Sequence, residues 1–169
     1  MIVSSTTVQP GDGPVRPLLF PTRQASAQNP QASQKQSQLG ADEQAKPAPK
    51  PRALVVDDAP DVTEMLAILL QFAGYEVVTA FSAPQALAAA RDNHFDVLVS
   101  DIGMPGMNGY ELAETLRRMP YYETMPMVAV TGFSVYDDHE RAIQSGFDAF
   151  LTKPINPQDL INLVERLLG

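Results

Sequence analysis

The chain has 169 residues, no cysteine and only two histidines, which excludes disulfides, thiolate catalysis and cysteine-ligated zinc. Charge is unevenly divided: residues 1–52 carry six basic and three acidic side chains, residues 53–169 six basic and seventeen acidic. A region that acidic is a poor partner for nucleic-acid phosphates and a good one for a cation or a basic protein surface.

Met1 to Pro51 is rich in Pro, Gln, Ser and Ala and holds eight of the fifteen prolines. Such a composition cannot bury enough apolar surface to offset the entropy of ordering it, which predicts a disordered extension over 1–51. Lys46-Pro47-Ala48-Pro49-Lys50-Pro51 is expected to be an extended spacer. The one apolar island, Val15-Arg16-Pro17-Leu18-Leu19-Phe20-Pro21, is a candidate docking motif within a tail that otherwise carries no pattern.

From Arg52 the pattern alternates, which predicts one domain over 52–169. Ala53-Leu54-Val55-Val56 is a first strand ending at Asp57-Asp58. Pro60 opens a helix whose predicted inner face is Val62, Met65, Leu66, Leu69, Leu70 and Ala73, stopped by Gly74. Glu76–Ala80 is a less apolar strand, suited to an edge, and Ser82 with Gln85 forms a capping box for the next helix. Val97–Ser100 is a third strand ending at Asp101. Asn108 with Glu111 caps a helix bearing Leu112, Leu116 and Met119. Met127–Val130 is a fourth strand ending at Thr131-Gly132. A helix follows over Ser134–Ser145, with a thin apolar face of Val135, Ala142 and Ile143. Ala149–Thr152 is the fifth strand, ending at Lys153-Pro154, and Asn156 caps a final helix with Leu160, Ile161, Val164, Leu167 and Leu168 inward.

Five strands alternating with five helices imply an α/β fold with a parallel sheet covered on both faces. Right-handed crossovers place every strand's carboxyl end on one rim. Asp57, Asp58, Asp101, Thr131 and Lys153 leave four different strands and meet there. Three carboxylates at one place repel each other unless a cation intervenes, and a hard divalent ion such as Mg²⁺ takes one or two carboxylates while keeping other positions for water or phosphate oxygens. With a fixed lysine and a hydroxyl, the set describes a site that receives a phosphoryl group on a carboxylate, Asp101 being the central one. Each residue also has an ordinary reading. Asp57-Asp58 could cap a helix, Thr131 could sit in a turn, Lys153 could be a surface lysine, and His94 and His139 could face solvent. Convergence of four strand ends favours the chemical reading.

Val55-Val56-Asp57-Asp58, Asp101-Ile102-Gly103-Met104-Pro105-Gly106-Met107-Asn108-Gly109, Ala129-Val130-Thr131-Gly132 and Leu151-Thr152-Lys153-Pro154 together resemble the signature blocks of response-regulator receiver domains. The resemblance implies a flavodoxin-like fold with strand order 2-1-3-4-5. It implies that Asp101 accepts phosphate from a histidine kinase or phosphotransfer protein. Asp57, Asp58, Asp101 and the Gly103 carbonyl would hold Mg²⁺, Lys153 would assist the transfer, and the Lys153–Pro154 bond would be cis. Thr131 and Phe150 would form a switch that alters the face made by the fourth helix, fifth strand and fifth helix. On this reading the protein is a phosphoacceptor that signals to a downstream protein, not an enzyme.

Several features depart from transcription-factor receivers. Gly146-Phe147-Asp148-Ala149 and Lys153-Pro154-Ile155 differ from their usual blocks, and Arg166 is the only cation of the last helix, which predicts a monomer. Thr131-Gly132-Phe133 is closer to receivers that work with hybrid sensor kinases, and Gly103 and Phe133 would flank the phosphate and affect its hydrolysis. The chain ends at Gly169 without an output domain, so direct DNA binding is not expected. No stretch is apolar enough to span a membrane and no signal peptide is evident, so the expected location is cytoplasmic. Two alternatives stand beside the switch. One is an interaction module of the same fold that works without phosphorylation. The other is an aspartyl-phosphate phosphatase or mutase, which would want a second Asp where Gly103 stands.

Overall fold

A computed structural model describes residues 46–132 and 136–169, with the backbone alone over 136–139. Each apolar run forms a strand, and each amphipathic run forms the helix that carries the chain back. In order these are β1 (Arg52–Val56), α1 (Pro60–Phe72), β2 (Glu76–Ala80), α2 (Ala83–Asp92), β3 (Val97–Asp101), α3 (Gly109–Arg117), β4 (Met127–Thr131), α4 (Tyr136–Gln144), β5 (Ala149–Thr152) and α5 (Pro157–Leu168). The strands are all parallel, in the order β2-β1-β3-β4-β5. This is the expected flavodoxin-like order, with the half-exposed β2 at an edge.

Alternation along the strands sorts the core into two halves. Ala53, Val55, Val97, Val99, Val128 and Val130 pack with Leu66 and Leu70 of α1 and Leu160 and Val164 of α5. Leu54, Val56, Leu98, Met127 and Ala129 pack with Leu87 of α2, Leu112 of α3, Ala142 of α4 and Phe147 just beyond it. Both faces of β1, β3 and β4 are therefore buried, which is why those strands read as continuous apolar runs.

The caps form largely as their sequences predict. Asn108 Oδ1 accepts from the Glu111 N–H (3.0 Å) and Glu111 Oε2 accepts from the Asn108 N–H (2.9 Å), closing the box at α3. Ser82 accepts from the Gln85 N–H, but Gln85 Oε1 accepts from the Phe81 N–H instead of that of Ser82. Asn156 caps α5 by accepting from the Gln158 N–H. The Lys153–Pro154 peptide is cis.

Two inner faces differ from expectation. Met65 is 41% exposed, and the buried face of α1 is Thr63, Leu66, Ala67 and Leu70. Because α1 is apolar almost all round, a 3.6-residue period cannot choose which side meets the sheet. Ile143 of α4 is 54% exposed, leaving Ala142 as the buried contact of that helix among residues 140–144. The predicted start of this helix at Ser134 and Val135 lies outside the described residues, as do residues 1–45 of the tail.

At the amino ends of β4 and β5, Arg117 fastens three segments together. Its Nε and Nη2 donate to the Gly146 carbonyl, and its Nη1 donates to the carbonyls of Tyr122, Glu123 and Met125. Nη2 also pairs with Asp148 at 2.9 Å, and the same Asp148 oxygen accepts from the Met127 N–H. Gly146 has φ +106°, and a Cβ there would lie 2.8 Å from Arg117 Cγ. Only glycine fits that approach comfortably.

Candidate functional site

The parallel sheet brings the carboxyl ends of β1, β3, β4 and β5 to one rim. Asp57 and Asp58 follow β1, Asp101 ends β3, Thr131 ends β4, and Lys153 follows β5. Asp57 and Asp101 are buried and Asp58 is exposed, yet each offers a carboxylate oxygen within 4.8 Å of the others. Lys153 Nζ donates to Asp57 Oδ2 at 2.9 Å and lies 3.4 Å from Asp101 Oδ1. Two buried carboxylates thus share one lysine.

Their environment is uneven. The second oxygen of Asp57 accepts from the Ala59 N–H at 2.9 Å, at the turn into α1. Thr63, one turn into that helix, donates its hydroxyl to the carbonyls of Asp57 and Ala59 and so fixes the strand end. Burial pushes the Asp101 carboxyl above its ordinary range; the Lys153 charge opposes this, the Asp57 charge adds to it, and the Gly103 N–H opposes it. Lys153 is raised in turn: its desolvation is outweighed by the hydrogen bond and charge of Asp57 and by Asp101. The acid resists ionising chiefly because it is buried, and the ammonium resists losing its proton because two carboxylates flank it.

Such a pocket fits a small hard cation. All three side-chain donors are carboxylate oxygens, and they lie within 4.8 Å of one another, a hard-ligand set. Asp57, Asp58 and Asp101 are the residues that fit Mg²⁺. Gly103 lies in the exposed loop beyond Asp101 with its N–H toward that carboxylate. Thr131 is buried at the end of β4, next to Val130, which pairs with Asp101 across the sheet. Phe150 is half-buried in β5 against the α2–α3 side of the core. His94 is exposed before β3, at the opposite end of that strand from Asp101, and packs on Tyr121. The His139 side chain and Phe133 lie outside the described residues.

The sequence model of the response regulator receiver domain matches residues 53–165. The chain belongs to this family.

An uncharacterized 14.6 kDa protein of Leptolyngbya boryana is 41% identical over 113 residues, covering 67% of this chain and 86% of the relative. Among solved structures, the chemotaxis response regulator CheY4 of Vibrio cholerae is 34% identical with a TM-score of 0.67, over 70% of this chain and 99% of that one. The receiver domain of the sensor histidine kinase PA1611 from Pseudomonas aeruginosa PAO1 is 25% identical with a TM-score of 0.67, over 72% of this chain and 99% of that one. That receiver has a magnesium ion coordinated in its active site cleft. A receiver is a phosphoacceptor rather than a classical enzyme, and it implies a cognate histidine kinase.

The receiver's pocket also rests on residues that patterning alone does not single out. Gly109 looks like no more than the first residue of α3. An added Cβ there would meet the Asp101 carbonyl oxygen, so this position is where α3 closes directly onto β3. Its N–H donates to the Ile102 carbonyl. Thr63 left a readable signal, a hydroxyl three and four residues before Leu66 and Ala67 on a buried helical face. Ser100 donates to the Asp101 carbonyl from within an apolar strand, and its isolation there was the only clue.

Proposed function

We propose that Asp101 accepts a phosphoryl group from a phosphohistidine of a kinase or phosphotransfer protein, and that the altered domain signals to a downstream protein. A carboxylate oxygen of Asp101 bonds to phosphorus as the phosphorus–nitrogen bond of the donor breaks. The imidazole leaves with the bonding electron pair and takes up a proton. The observation that carries this reading is the sharing of Lys153 by Asp57 and Asp101 beside a third carboxylate.

The residues divide the work. Asp57, Asp58, Asp101 and the Gly103 carbonyl are assigned to Mg²⁺, which when bound neutralises the carboxylates and the phosphoryl oxygens. Lys153, held between the two buried acids, has three N–H donors and can turn one toward a phosphoryl oxygen without leaving the pocket. Thr131 supplies a hydroxyl donor from the adjoining strand. Its movement toward the phosphoryl group, with Phe150 following inward, is assigned as the switch that reshapes the face of α4, β5 and α5. Gly103 leaves the mouth of the pocket free of a side chain that could serve as a second acid, which favours a persistent acyl phosphate over mutase chemistry. The extension over residues 1–51 is assigned as a linker outside the chemistry, and the protein as a monomer.

The test is direct. With Mg²⁺ and acetyl phosphate the full chain should gain the mass of one phosphoryl group, and the gain should be absent in Asp101→Asn and with chelator. A wild-type chain that never gains the mass, even with histidine kinases supplied, would favour the phosphorylation-independent interaction module.

A further inference from the structure

Helix α4 is fastened to the body unlike its neighbours. Helix α1 buries Thr63, Leu66, Ala67 and Leu70, and α5 buries Leu160, Leu163 and Val164. Over residues 140–144 of α4 only Ala142 is buried. Two arginine contacts to α3 supply what apolar burial does not. At the carboxyl end, Arg117 of α3 grips the Gly146 carbonyl from within a satisfied network. Within the helix, exposed Arg141 lies over the ring of Tyr110, 4.7 Å from its centroid. The first contact is part-buried and multiply bonded; the second is a cation–π contact made by an exposed arginine.

Tyr110 also ties that second contact to the acceptor. It follows Gly109, where an added Cβ would meet the Asp101 carbonyl and whose N–H donates to the Ile102 carbonyl. Close packing at Gly109 thus joins the end of β3 to the start of the helix that carries the ring, across the loop of residues 102–108. Tyr110 is itself 5% exposed and packed in the core, so it follows the backbone that carries it.

We propose that the Arg141–Tyr110 contact is a latch holding α4 in its resting position, and that its release accompanies phosphorylation of Asp101. This rests on Asp101 being the acceptor. The pivot is Arg117 at Gly146, which stays closed. Because an exposed cation–π contact shifts a two-state equilibrium by only about two- to fivefold, the latch tunes the pocket's response without blocking it. By linkage, whatever holds α4 in the resting position weakens binding of a phosphoryl group by the same factor.

Beryllium fluoride with Mg²⁺, a reversible phosphoryl mimic, reads this out on the full chain. Arg141→Ala should lower the apparent dissociation constant about two- to fivefold. Arg141→Lys, which keeps a cation over the ring, should restore the wild-type value, and Glu140→Gln on the same exposed face should leave it unchanged. An unchanged or weaker affinity in Arg141→Ala, or failure of the lysine to restore it, would overturn the latch. If the wild-type chain bound no mimic and gained no phosphoryl mass, the acceptor reading would fail separately. The latch would then be judged on amide exchange in α4 of the untreated protein: about two- to fivefold faster exchange in Arg141→Ala supports it, and unchanged exchange overturns it.

Discussion

Arg117 at the amino edge of the sheet and Lys153 at the carboxyl edge are both long cations set among oxygens, and they do opposite things. At the amino edge Arg117 directs its donors to four carbonyls and to Asp148, so the oxygens facing it are hydrogen-bonded. At the carboxyl edge Lys153 stands between Asp57 and Asp101 with a third carboxylate nearby, so the negative groups outnumber the cation. A fixed guanidinium fork suits a permanent joint, whereas a compact ammonium with rotatable donors suits a site whose occupant changes. The lesson is that burial of a cation does not by itself distinguish architecture from chemistry. What distinguishes them is whether the surrounding oxygens are satisfied.

The largest effect that would break this contrast lies at the satisfied edge. Arg117→Met should destabilise the domain by about 3 kcal/mol, because it strands the carbonyls of buried Tyr122 and Met125 and of part-buried Gly146, while the exposed Asp148 carboxylate is rehydrated. Urea unfolding should give the same loss with chelator and with Mg²⁺. A loss that Mg²⁺ repaired would mean that the two edges are coupled and that the division into joint and site is wrong.

The smaller effect lies at the unsatisfied edge. Lys153→Met should cost roughly 2 kcal/mol in chelator, since buried Asp57 loses its partner while keeping the Ala59 N–H. Mg²⁺ should recover most of that, because a divalent ion supplies the missing positive charge to the same carboxylates. Acetyl phosphate should still phosphorylate the variant measurably but more slowly. If Mg²⁺ recovered nothing, Lys153 would be a structural tie like Arg117.

How far these edges could be read from the sequence follows from what each depends on. Asp57, Asp101, Thr131 and Lys153 each sit where an apolar strand run stops, and parallel topology alone sends such residues to one rim. Their meeting was therefore legible before any contact was known. Arg117 was not: its partners Gly146 and Asp148 are distant in sequence, and an arginine at a helix end is ordinarily a surface residue. Gly109 was half legible. Its place after the Asn108 cap was plain, but the contact with the Asp101 carbonyl depends on how steeply α3 leaves the loop. Met65 and Ile143 fail for a different reason. Periodicity reports which residues share a helical face, and only the strands beneath the helix decide which face is covered.

The finest probe of the contrast is the pH dependence of stability without metal. Burial, with the Asp57 charge, holds the Asp101 carboxyl above its ordinary 3.8 despite Lys153 and the Gly103 N–H. The folded protein therefore keeps this proton more tightly than the unfolded chain does. Its contribution to stability is complete below that ordinary value and is lost as pH rises through the raised one. Asp101→Asn cannot lose it, so in chelator the variant's stability relative to wild type should climb from about pH 4 upward and level off once Asp101 is ionised. Lys153, raised above its ordinary 10.5, contributes stability that is complete below that value and lost as pH rises past it; Lys153→Met should lack that alkaline loss. Urea unfolding at a series of pH values, with each variant compared to wild type, separates the two windows. A flat difference between Asp101→Asn and wild type from pH 4 to neutral would mean that the Asp101 charge is comfortable where it is. The pocket would then be as satisfied as the Arg117 joint, and the contrast between the two edges would be lost.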